Sequence, residues 1–317
     1  MKISLITPAK KQSRNGNRTT AVRWARILRA LGHEVKIDVD YGGEQANMMI
    51  ALHAWRSAES IVKFKNLCPT RPLILALTGT DINEFIHSHP KPTLHSMNAA
   101  DELVCLHDGV AEIVAKKYRN KLHVIYQSAT PLPGPRKPAI QNFDICVLGH
   151  LRDVKDPLRT ALAVRNLPAE SRIRVIHLGK AHNKIWANRA VTEMNRNPRY
   201  IWKGERPGWQ VRRELAKTRL MVISSLAEGG ANVVSEALVT GVPVIASNIH
   251  GNLGMLGPDY PGYYPVGDED ALRDLLRRAE QNPEFLADLT RRCKARAKLF
   301  KPAEERRRWR TLMAKYN

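Results

Sequence analysis

Short runs of consecutive apolar residues alternate along this chain with longer segments that carry apolar residues on one helical face. Residues 73–77 and residues 220–223 are apolar at every position. A strand that is apolar throughout is typical of a parallel sheet covered on both faces. Parallel strands need crossover connections, which are usually helices. The alternation therefore predicts an α/β fold, a class in which ligands bind at the carboxyl ends of the strands.

The apolar runs form two sets, separated by a proline-rich segment at residues 131–138. Strands are predicted at residues 3–6, 34–39, 48–52, 73–77, 102–106 and 122–126, and then at residues 144–148, 173–178, 200–202, 220–223 and 242–246. Proline continues neither a helix nor a central strand, so we place the domain linker there. The sequence predicts two doubly wound domains, residues 1–138 and 139–300, and a basic C-terminal helix, residues 301–317, that packs back on the first domain.

Two glutamates flank the start of the helix predicted after residues 220–223. Glu228 precedes this helix and Glu236 lies about two turns into it, with Gly229 and Gly230 between them. Glycines let backbone amides approach a ligand, and a helix N-terminus favours a phosphate. A solvated pair of glutamates favoured by the helix dipole is the ordinary alternative. Their place at the carboxyl edge of a predicted sheet favours a ligand site.

A second pattern suited to phosphate follows the first strand of the second set. Gly149 is followed at a spacing of three by Arg152, and then by Lys155. Both cations can reach one anion from a loop or from a first helical turn. An ordinary surface turn, with Asp153 and Asp156 balancing the charge, is the alternative.

The loop after the first predicted strand carries four cations, which are Lys10, Lys11, Arg14 and Arg18. It leads into a helix predicted to begin at Thr19, whose hydroxyl is suited to a helix cap. A dinucleotide fingerprint is excluded, because no G-x-G-x-x-G follows the strand. The loop predicts an anion site, and a basic surface loop is the alternative.

The charge balance narrows the classes of partner. The 317 residues include 51 Lys and Arg against 30 Asp and Glu, a formal charge of +21 that suits an anionic partner. The basic residues are spread along the chain, aromatics make up 6%, and no RNA-recognition signature is present. We therefore expect no nucleic-acid partner. The basic block at residues 291–310 keeps a nucleic-acid-binding protein as an alternative.

The cysteines and the hydropathy pattern indicate the compartment. The four cysteines lie far apart and have no C-x-x-C spacing, so the sequence predicts neither a disulfide framework nor a zinc site. No apolar stretch approaches the roughly 20 residues that a transmembrane helix needs. We expect a cytoplasmic protein with no integral membrane segment and no bound metal.

The spacing of Glu228 and Glu236 resembles the E-x7-E motif of the family 4 glycosyltransferases. The two doubly wound halves resemble the GT-B architecture, whose active site is the interdomain cleft. The resemblance implies that Glu236 holds the ribose hydroxyls of a nucleotide-sugar and that Glu228 contacts the sugar. It further implies that the diphosphate meets the backbone of Gly229, Gly230, Ala231 and Asn232.

The Gly149, Arg152 and Lys155 pattern is similar to an arrangement that neutralises the leaving diphosphate in this family. The resemblance thus implies a UDP-sugar as donor substrate, with no separate cofactor and no metal. Asp81 is a further candidate for contact with the donor hydroxyls, and an N-cap or a strand-end turn is its ordinary alternative. His53 and His107, which also lie near predicted strand ends, are either alternative contacts to the reacting sugar or packed histidines without a ligand.

Four segments resemble one branch of the family, the selenosugar synthases of selenoneine biosynthesis. They are residues 15–26, 51–54, 77–81 and 124–128. This resemblance implies transfer of glucose or N-acetylglucosamine from UDP to selenophosphate, with formation of a carbon–selenium bond. It also implies a functional link to an enzyme that supplies selenophosphate. The alternative is a family 4 enzyme acting on a glycolipid or polysaccharide, for which we expect exposed apolar or amphipathic elements in the first domain.

Selenophosphate is small and highly charged, so its binding depends on positioning and charge compensation more than on a strong general base. The first loop and the helix start after it are the expected acceptor site. Its candidate residues are Arg14, Asn15, Gly16, Asn17, Arg18 and Thr19.

Overall fold

The computed structural model describes residues 1–13 and 16–316 and divides the chain into two compact units. The first unit comprises Met1–Gln127, Glu228–Ala231 and Pro302–Asn317, and the second comprises Ser128–Ala227 and Asn232–Lys301. Each unit contains one six-stranded sheet whose paired strands are all parallel. The predicted α/β fold with two Rossmann-like domains is confirmed.

The strands follow the chain in two groups of six. They are β1 (Lys2–Ile6), β2 (Glu34–Asp38), β3 (Met48–Leu52), β4 (Leu73–Leu77), β5 (Glu102–Cys105), β6 (Leu122–Val124), β7 (Phe143–Leu148), β8 (Ile173–Leu178), β9 (Tyr200–Trp202), β10 (Leu220–Ile223), β11 (Val244–Ser247) and β12 (Tyr263–Tyr264). Every one except β12 coincides with a strand predicted from the sequence.

The helices mostly connect successive strands. They are α1 (Gly16–Ala30), α2 (Ala58–Leu67), α3 (Ile86–Ser88), α4 (Pro90–Ala99), α5 (Val110–Ile113), α6 (Arg159–Val164), α7 (Lys184–Arg196), α8 (Gly208–Lys217), α9 (Asn232–Val239), α10 (His250–Leu256), α11 (Glu269–Gln281), α12 (Pro283–Ala297) and α13 (Pro302–Met313). No helix in the described ranges is long and apolar enough to cross a membrane.

The strand order of the first sheet is β2-β1-β3-β4-β5-β6. The order reverses between β1 and β3, and ligands of open α/β sheets bind at such a switch point. Alternate residues of β3 enter two separate cores: Ile50 and Leu52 lie in one, and Met49 and Ala51 in the other. The complete burial of β3 explains why its sequence is apolar throughout.

Helix α1 is already helical at Gly16, although the sequence predicted a start at Thr19. The neighbouring Thr20 explains part of the difference. Its hydroxyl donates to the carbonyl of Gly16 at 2.9 Å, so it bonds back within the helix instead of capping backbone amides.

The C-terminal helix α13 completes one core of the first unit. The Trp309 ring packs edge-on against Trp24, with ring centroids 4.9 Å apart, and both side chains are fully buried. Glu305 is also buried and accepts a hydrogen bond from the Trp24 indole at 2.8 Å. Because buried aromatic pairs contribute strongly to stability, residues 302–316 are an integral part of this unit.

The second sheet has the order β12-β11-β10-β7-β8-β9, which reverses between β10 and β7. The segment that precedes it is fixed to this unit by Arg136, whose guanidinium donates to the carbonyl oxygens of Thr218 and Gly241. Strand β12 was not predicted, because two residues are too few to show a period.

Candidate functional site

The two predicted phosphate-binding cations lie at the switch point of the second sheet. Arg152 precedes a 3-10 turn that follows β7, and Lys155 is its last residue. The Lys155 amide donates to the Arg152 carbonyl at 2.9 Å. Ser224, directly after β10, directs its hydroxyl at the carbonyl oxygens of Lys155 and Asp156, at 3.1 and 2.8 Å. Arg152 is exposed and Lys155 half-buried. The turn is thus fixed to the neighbouring strand with both cations on it.

Gly149, at the start of this loop, is held by a buried histidine. The His177 ring lies with Nε2 at 3.0 Å from the Gly149 carbonyl and Nδ1 at 2.9 Å from the Tyr200 hydroxyl. A carbonyl only accepts, so Nε2 carries the proton and Nδ1 accepts from tyrosine. Burial lowers the pKa of His177 to about 4, which keeps the ring neutral. Sequence reasoning missed His177, because it lies inside an apolar run.

We expect His177 to make the stability of the fold depend on pH. In the unfolded chain this histidine takes up a proton near pH 6.5, whereas the folded protein resists protonation down to about 4. Stability is therefore lost as the pH falls through this window, by about 3 kcal/mol in total. In His177→Phe this titration is absent, so the gap in unfolding free energy between wild type and variant should narrow towards low pH.

Urea unfolding of both proteins, from neutral pH to about 4, checks this expectation. His87→Phe, at an exposed histidine, is the matched control. A gap that stays constant over the whole range would contradict the role given to His177.

The Glu-x7-Glu segment is divided between the units. Helix α9 begins at Asn232 and carries Glu236 on its second turn, and both side chains are half-buried in the second unit. Glu228–Ala231 belong to the first unit. The second unit therefore contains a group of predicted site residues, which are Gly149, Arg152, Lys155, Asn232 and Glu236. The first unit contains Glu228 and the two glycines that follow it.

In the first unit, Glu228 and its glycines contact the loop after β4. The Asn83 side chain donates to the Glu228 carbonyl at 3.1 Å. A Cβ added to Gly229 would lie 2.3 Å from the Cα of Gly79. Gly230 has φ +132, and a Cβ there would lie 2.5 Å from Cβ of Leu106. Gly229 thus allows backbone to pack on backbone, and Gly230 allows backbone to pack on the Leu106 side chain after β5. The spacing of these glycines did not indicate either contact.

Asp81 lies beneath the same loop and is fully buried. Its Oδ1 accepts from the amides of Gly79 and Ile82 at 2.7 and 3.2 Å. Its Oδ2 accepts from the amides of Thr78 and Ala54 at 3.0 and 3.1 Å. One carboxylate thereby ties the loop after β4 to the turn after β3. The structure gives Asp81 a positioning role in place of the sugar contact expected from the sequence.

The two histidines considered as alternatives to Asp81 are also buried. His53 is 1% exposed and lies with Nε2 at 3.0 Å from the Thr80 hydroxyl oxygen. His107 is likewise 1% exposed. Neither ring is exposed to a ligand. His53 can therefore influence a ligand only through a residue that it contacts, such as Thr80.

Four of the predicted acceptor residues, residues 16–19, form the start of α1, which follows β1 at the switch point of the first sheet. Gly16 and Thr19 are exposed, and Asn17 and Arg18 are half-buried. The first turn carries no acidic residue. A helix N-terminus without acidic residues and a cation such as Arg18 suit an anion.

Two of the predicted acceptor residues, Arg14 and Asn15, lie outside the described residues. Beneath the start of α1, the Gln127 side chain donates to the Thr20 hydroxyl oxygen at 2.7 Å and fixes the helix. Within residues 1–13 and 16–316, no three His, Cys, Asp or Glu side chains are grouped so that they could hold a metal.

Much of the basic C-terminal block is occupied within the protein. Arg292 donates to Asp288 at 2.9 Å, and Arg308 to Glu304 at 2.8 Å. Arg296 donates to the carbonyl oxygens of two residues of α10, at 2.7 and 3.1 Å. These pairings leave fewer cations for a nucleic-acid surface than the sequence alone indicates.

Comparison with known proteins gives a family match for the second unit. The model of the family described as "Glycosyl transferases group 1" matches residues 136–299, which is just over half of the chain. A relative from Xenopus tropicalis, "Glycosyltransferase 1 domain-containing protein 1", is 23% identical over 314 residues, covering 91% of this chain and 90% of the relative.

Solved structures resemble the whole chain in fold. Anabaena HepE in complex with UDP has a TM-score of 0.79 at 15% identity, covering 99% of this chain and 100% of HepE. HepE in complex with UDP-glucose has a TM-score of 0.76 at the same identity and coverage. Sucrose-phosphate synthase from Thermosynechococcus elongatus has a TM-score of 0.78 at 14% identity, covering 99% of this chain and 98% of that enzyme.

Proposed function

Because the chain belongs to the group 1 glycosyl transferases, we propose that it transfers a sugar from a UDP-sugar to selenophosphate. The selenium atom attacks the anomeric carbon, a carbon–selenium bond forms, and the carbon–oxygen bond to UDP breaks. UDP leaves with the electron pair of that bond. UDP-glucose and UDP-N-acetylglucosamine are the two proposed donors. The UDP-sugar is a substrate, and no separate cofactor takes part in the proposed reaction.

One observation carries the donor half of this proposal, namely the cation pair at the switch point of the second sheet. Arg152 and Lys155 stand on a turn that the Ser224 hydroxyl fixes to β10. Cations held in place before the reaction stabilise the negative charge that develops on a departing diphosphate. HepE, solved with UDP and with UDP-glucose, supports UDP as the nucleotide. We assign the ribose hydroxyls to Glu236 and the transferred sugar to Glu228.

Alanine substitutions of Glu236 and Glu228 are expected to affect different steps, namely the binding of UDP and the rate of sugar transfer. Glu236→Ala loses hydrogen bonds to the ribose and should weaken binding of UDP itself. Glu228→Ala should leave UDP binding nearly constant and chiefly lower kcat, because its contact is made to the reacting sugar. Calorimetry with UDP and steady-state kinetics separate the two results. Glu284→Ala, at an exposed glutamate of α12, is the control, and two silent site variants would contradict both assignments.

The acceptor half of the proposal rests on the start of α1 and on the branch resemblance of residues 15–26, 51–54, 77–81 and 124–128. A small trianion has no apolar body to bury, so cations and oriented amides must bind it. The first turn of α1 offers such amides, carries Arg18 and lacks acidic residues. Selenophosphate must also be supplied, so we propose a functional link to an enzyme that makes it.

Arg18→Ala is the test of the acceptor site. We expect the apparent KM for selenophosphate to rise several-fold, while the affinity for UDP stays nearly constant. Arg26→Ala is the matched control, because Arg26 is an exposed arginine later in α1. If Arg18→Ala instead bound UDP more weakly and kept the wild-type KM for selenophosphate, Arg18 would belong to the donor-binding site.

A second candidate function is transfer to a glycolipid, and the observation behind it is an apolar groove in the first unit. The groove lies between α2 and α4 and has a volume of about 840 Å3. Val62 and Leu67 line it and are 38% and 58% exposed, and Lys63 and Lys91 lie beside them. Exposed apolar elements in the first domain are the feature expected of a glycolipid enzyme. Flotation with anionic lipid vesicles, comparing wild type with Leu67→Gln, decides whether this groove binds a membrane.

A further inference from the structure

A hydrogen-bond relay with a fixed direction connects the turn after β3 with the loop after β4. The Arg56 amide donates to Nδ1 of His53 at 3.3 Å, so the proton of the neutral ring resides on Nε2. Nε2 lies 3.0 Å from Thr80 Oγ1 and therefore donates to it. Burial lowers the pKa of His53, which keeps the ring in its neutral form.

The relay leaves the Thr80 hydroxyl with one hydrogen to donate. A hydroxyl has a single hydrogen, and Oγ1 already accepts from His53. In the described part of the chain, no acceptor is found for that hydrogen. Thr80 is half-buried, so a ligand oxygen can still reach it. The arrangement presents Thr80 as a donor and not as an acceptor.

The backbone of His53 carries strain that supports a functional role. Its φ of +78 lies in the left-handed region, which a residue other than glycine adopts only with strain. The conformation is held on both sides: the His53 amide donates to the Ala76 carbonyl at 2.9 Å, and the next amide, of Ala54, donates to Asp81 at 3.1 Å. Glycine would take this conformation without strain, so the imidazole itself accounts for a histidine here.

Contacts on either side of Thr80 bring it to the Glu228 segment. Gly79 packs against the backbone of Gly229, and Asn83 donates to the Glu228 carbonyl at 3.1 Å. We propose that Thr80 binds an oxygen of the transferred sugar by donating its hydroxyl hydrogen, and that His53 is the positioning residue that sets this direction. The inference rests on the proposed function, in which Glu228 contacts the same sugar.

Two substitutions of Thr80 separate hydrogen bonding from shape. Thr80→Val keeps the shape and removes the hydroxyl, and we expect kcat/KM for the UDP-sugar to fall about tenfold or more. Thr80→Ser keeps the hydroxyl and should retain most of the activity. Thr93→Val is the matched control, because that buried hydroxyl serves only backbone carbonyls, at 2.8 and 3.2 Å. It should lower the Tm and leave kcat/KM unchanged.

His53→Phe keeps a ring and removes both nitrogens, so it should lower kcat/KM as Thr80→Val does. Because the two residues act as one unit, the double variant should fall no further than the worse single variant. If the losses of kcat/KM in the two single variants added up in the double variant, His53 would have a structural role only and would not position Thr80. Should His53→Phe fail to fold, the comparison of Thr80→Val with Thr80→Ser still decides whether the hydroxyl is used.

Calorimetry identifies the oxygen that Thr80 binds. Thr80→Val should bind UDP as tightly as wild type and bind the UDP-sugar several-fold more weakly. Weaker binding of UDP would assign the hydroxyl to the diphosphate and overturn the sugar contact. If the wild-type protein were active and Thr80→Val were equally active, this inference would be overturned and the proposed function would stand. A wild-type protein inactive with every UDP-sugar would overturn the proposed function on which the inference rests.

Discussion

Replacing Gly229 by alanine is expected to abolish most of the transferase activity. The added Cβ would lie 2.3 Å from the Cα of Gly79 and 2.4 Å from its amide nitrogen, so one of the two backbones must move. Overpacking of this kind costs about 1–3 kcal/mol of stability, and a displacement of about 1 Å at a site costs about a hundredfold in rate. We expect kcat/KM to fall by about that factor, with a smaller effect on Tm.

Gly134→Ala is the control for this substitution. A Cβ at Gly134 would meet nothing within 4 Å, so the variant should keep both its Tm and its activity. Measured together, the two alanine variants separate local crowding from the general effect of losing a glycine. If Gly229→Ala worked at the wild-type rate, the close packing of the Glu228 segment on Gly79 would be irrelevant to the reaction.

Removing either cation of the turn after β7 is expected to have the second large effect. Arg152→Ala and Lys155→Ala should each lower kcat by about ten- to a thousandfold, the range found when a group that stabilises developing charge is lost. Lys184→Ala, at an exposed lysine of α7, should be silent. Steady-state kinetics with and without EDTA measure the effect, and we expect the chelator to matter little. Metal dependence that added metal restores, with a silent Arg152→Ala, would show that a metal carries the charge.

Most of the fold could be predicted from the sequence, because the fold depends on local pattern. Strands such as β3 and β4 are buried on both faces, which makes them apolar at every position and visible as runs. The short strand β12 and the first turn of α1 carry no such pattern. Local sequence favoured a cap at Thr19, whereas α1 is already helical at Gly16 and the Thr20 hydroxyl bonds within the helix.

The candidate site could be predicted less completely, since its supporting contacts join residues far apart in sequence. The spacing of Arg152 and Lys155 indicated that both cations lie on one loop after a strand, and the structure places both at one turn after β7. The hydroxyl that holds their turn belongs to Ser224, which follows β10 and lies 69 residues after Lys155, and no local period indicates it. Asp81 illustrates the same limit: its sequence position indicated a ligand contact, but its carboxylate is occupied by backbone amides of two loops.

Release of UDP from UDP-sugars, measured with and without selenophosphate, tests the central claim most directly. The proposed function predicts that UDP-glucose or UDP-N-acetylglucosamine yields UDP when selenophosphate is present, together with a product in which mass spectrometry detects selenium bound to the sugar. Little UDP should form without selenophosphate. If no UDP-sugar gave a selenium-containing product while a lipid or saccharide acceptor stimulated UDP release, the selenosugar assignment would be contradicted and the broader transferase assignment would stand.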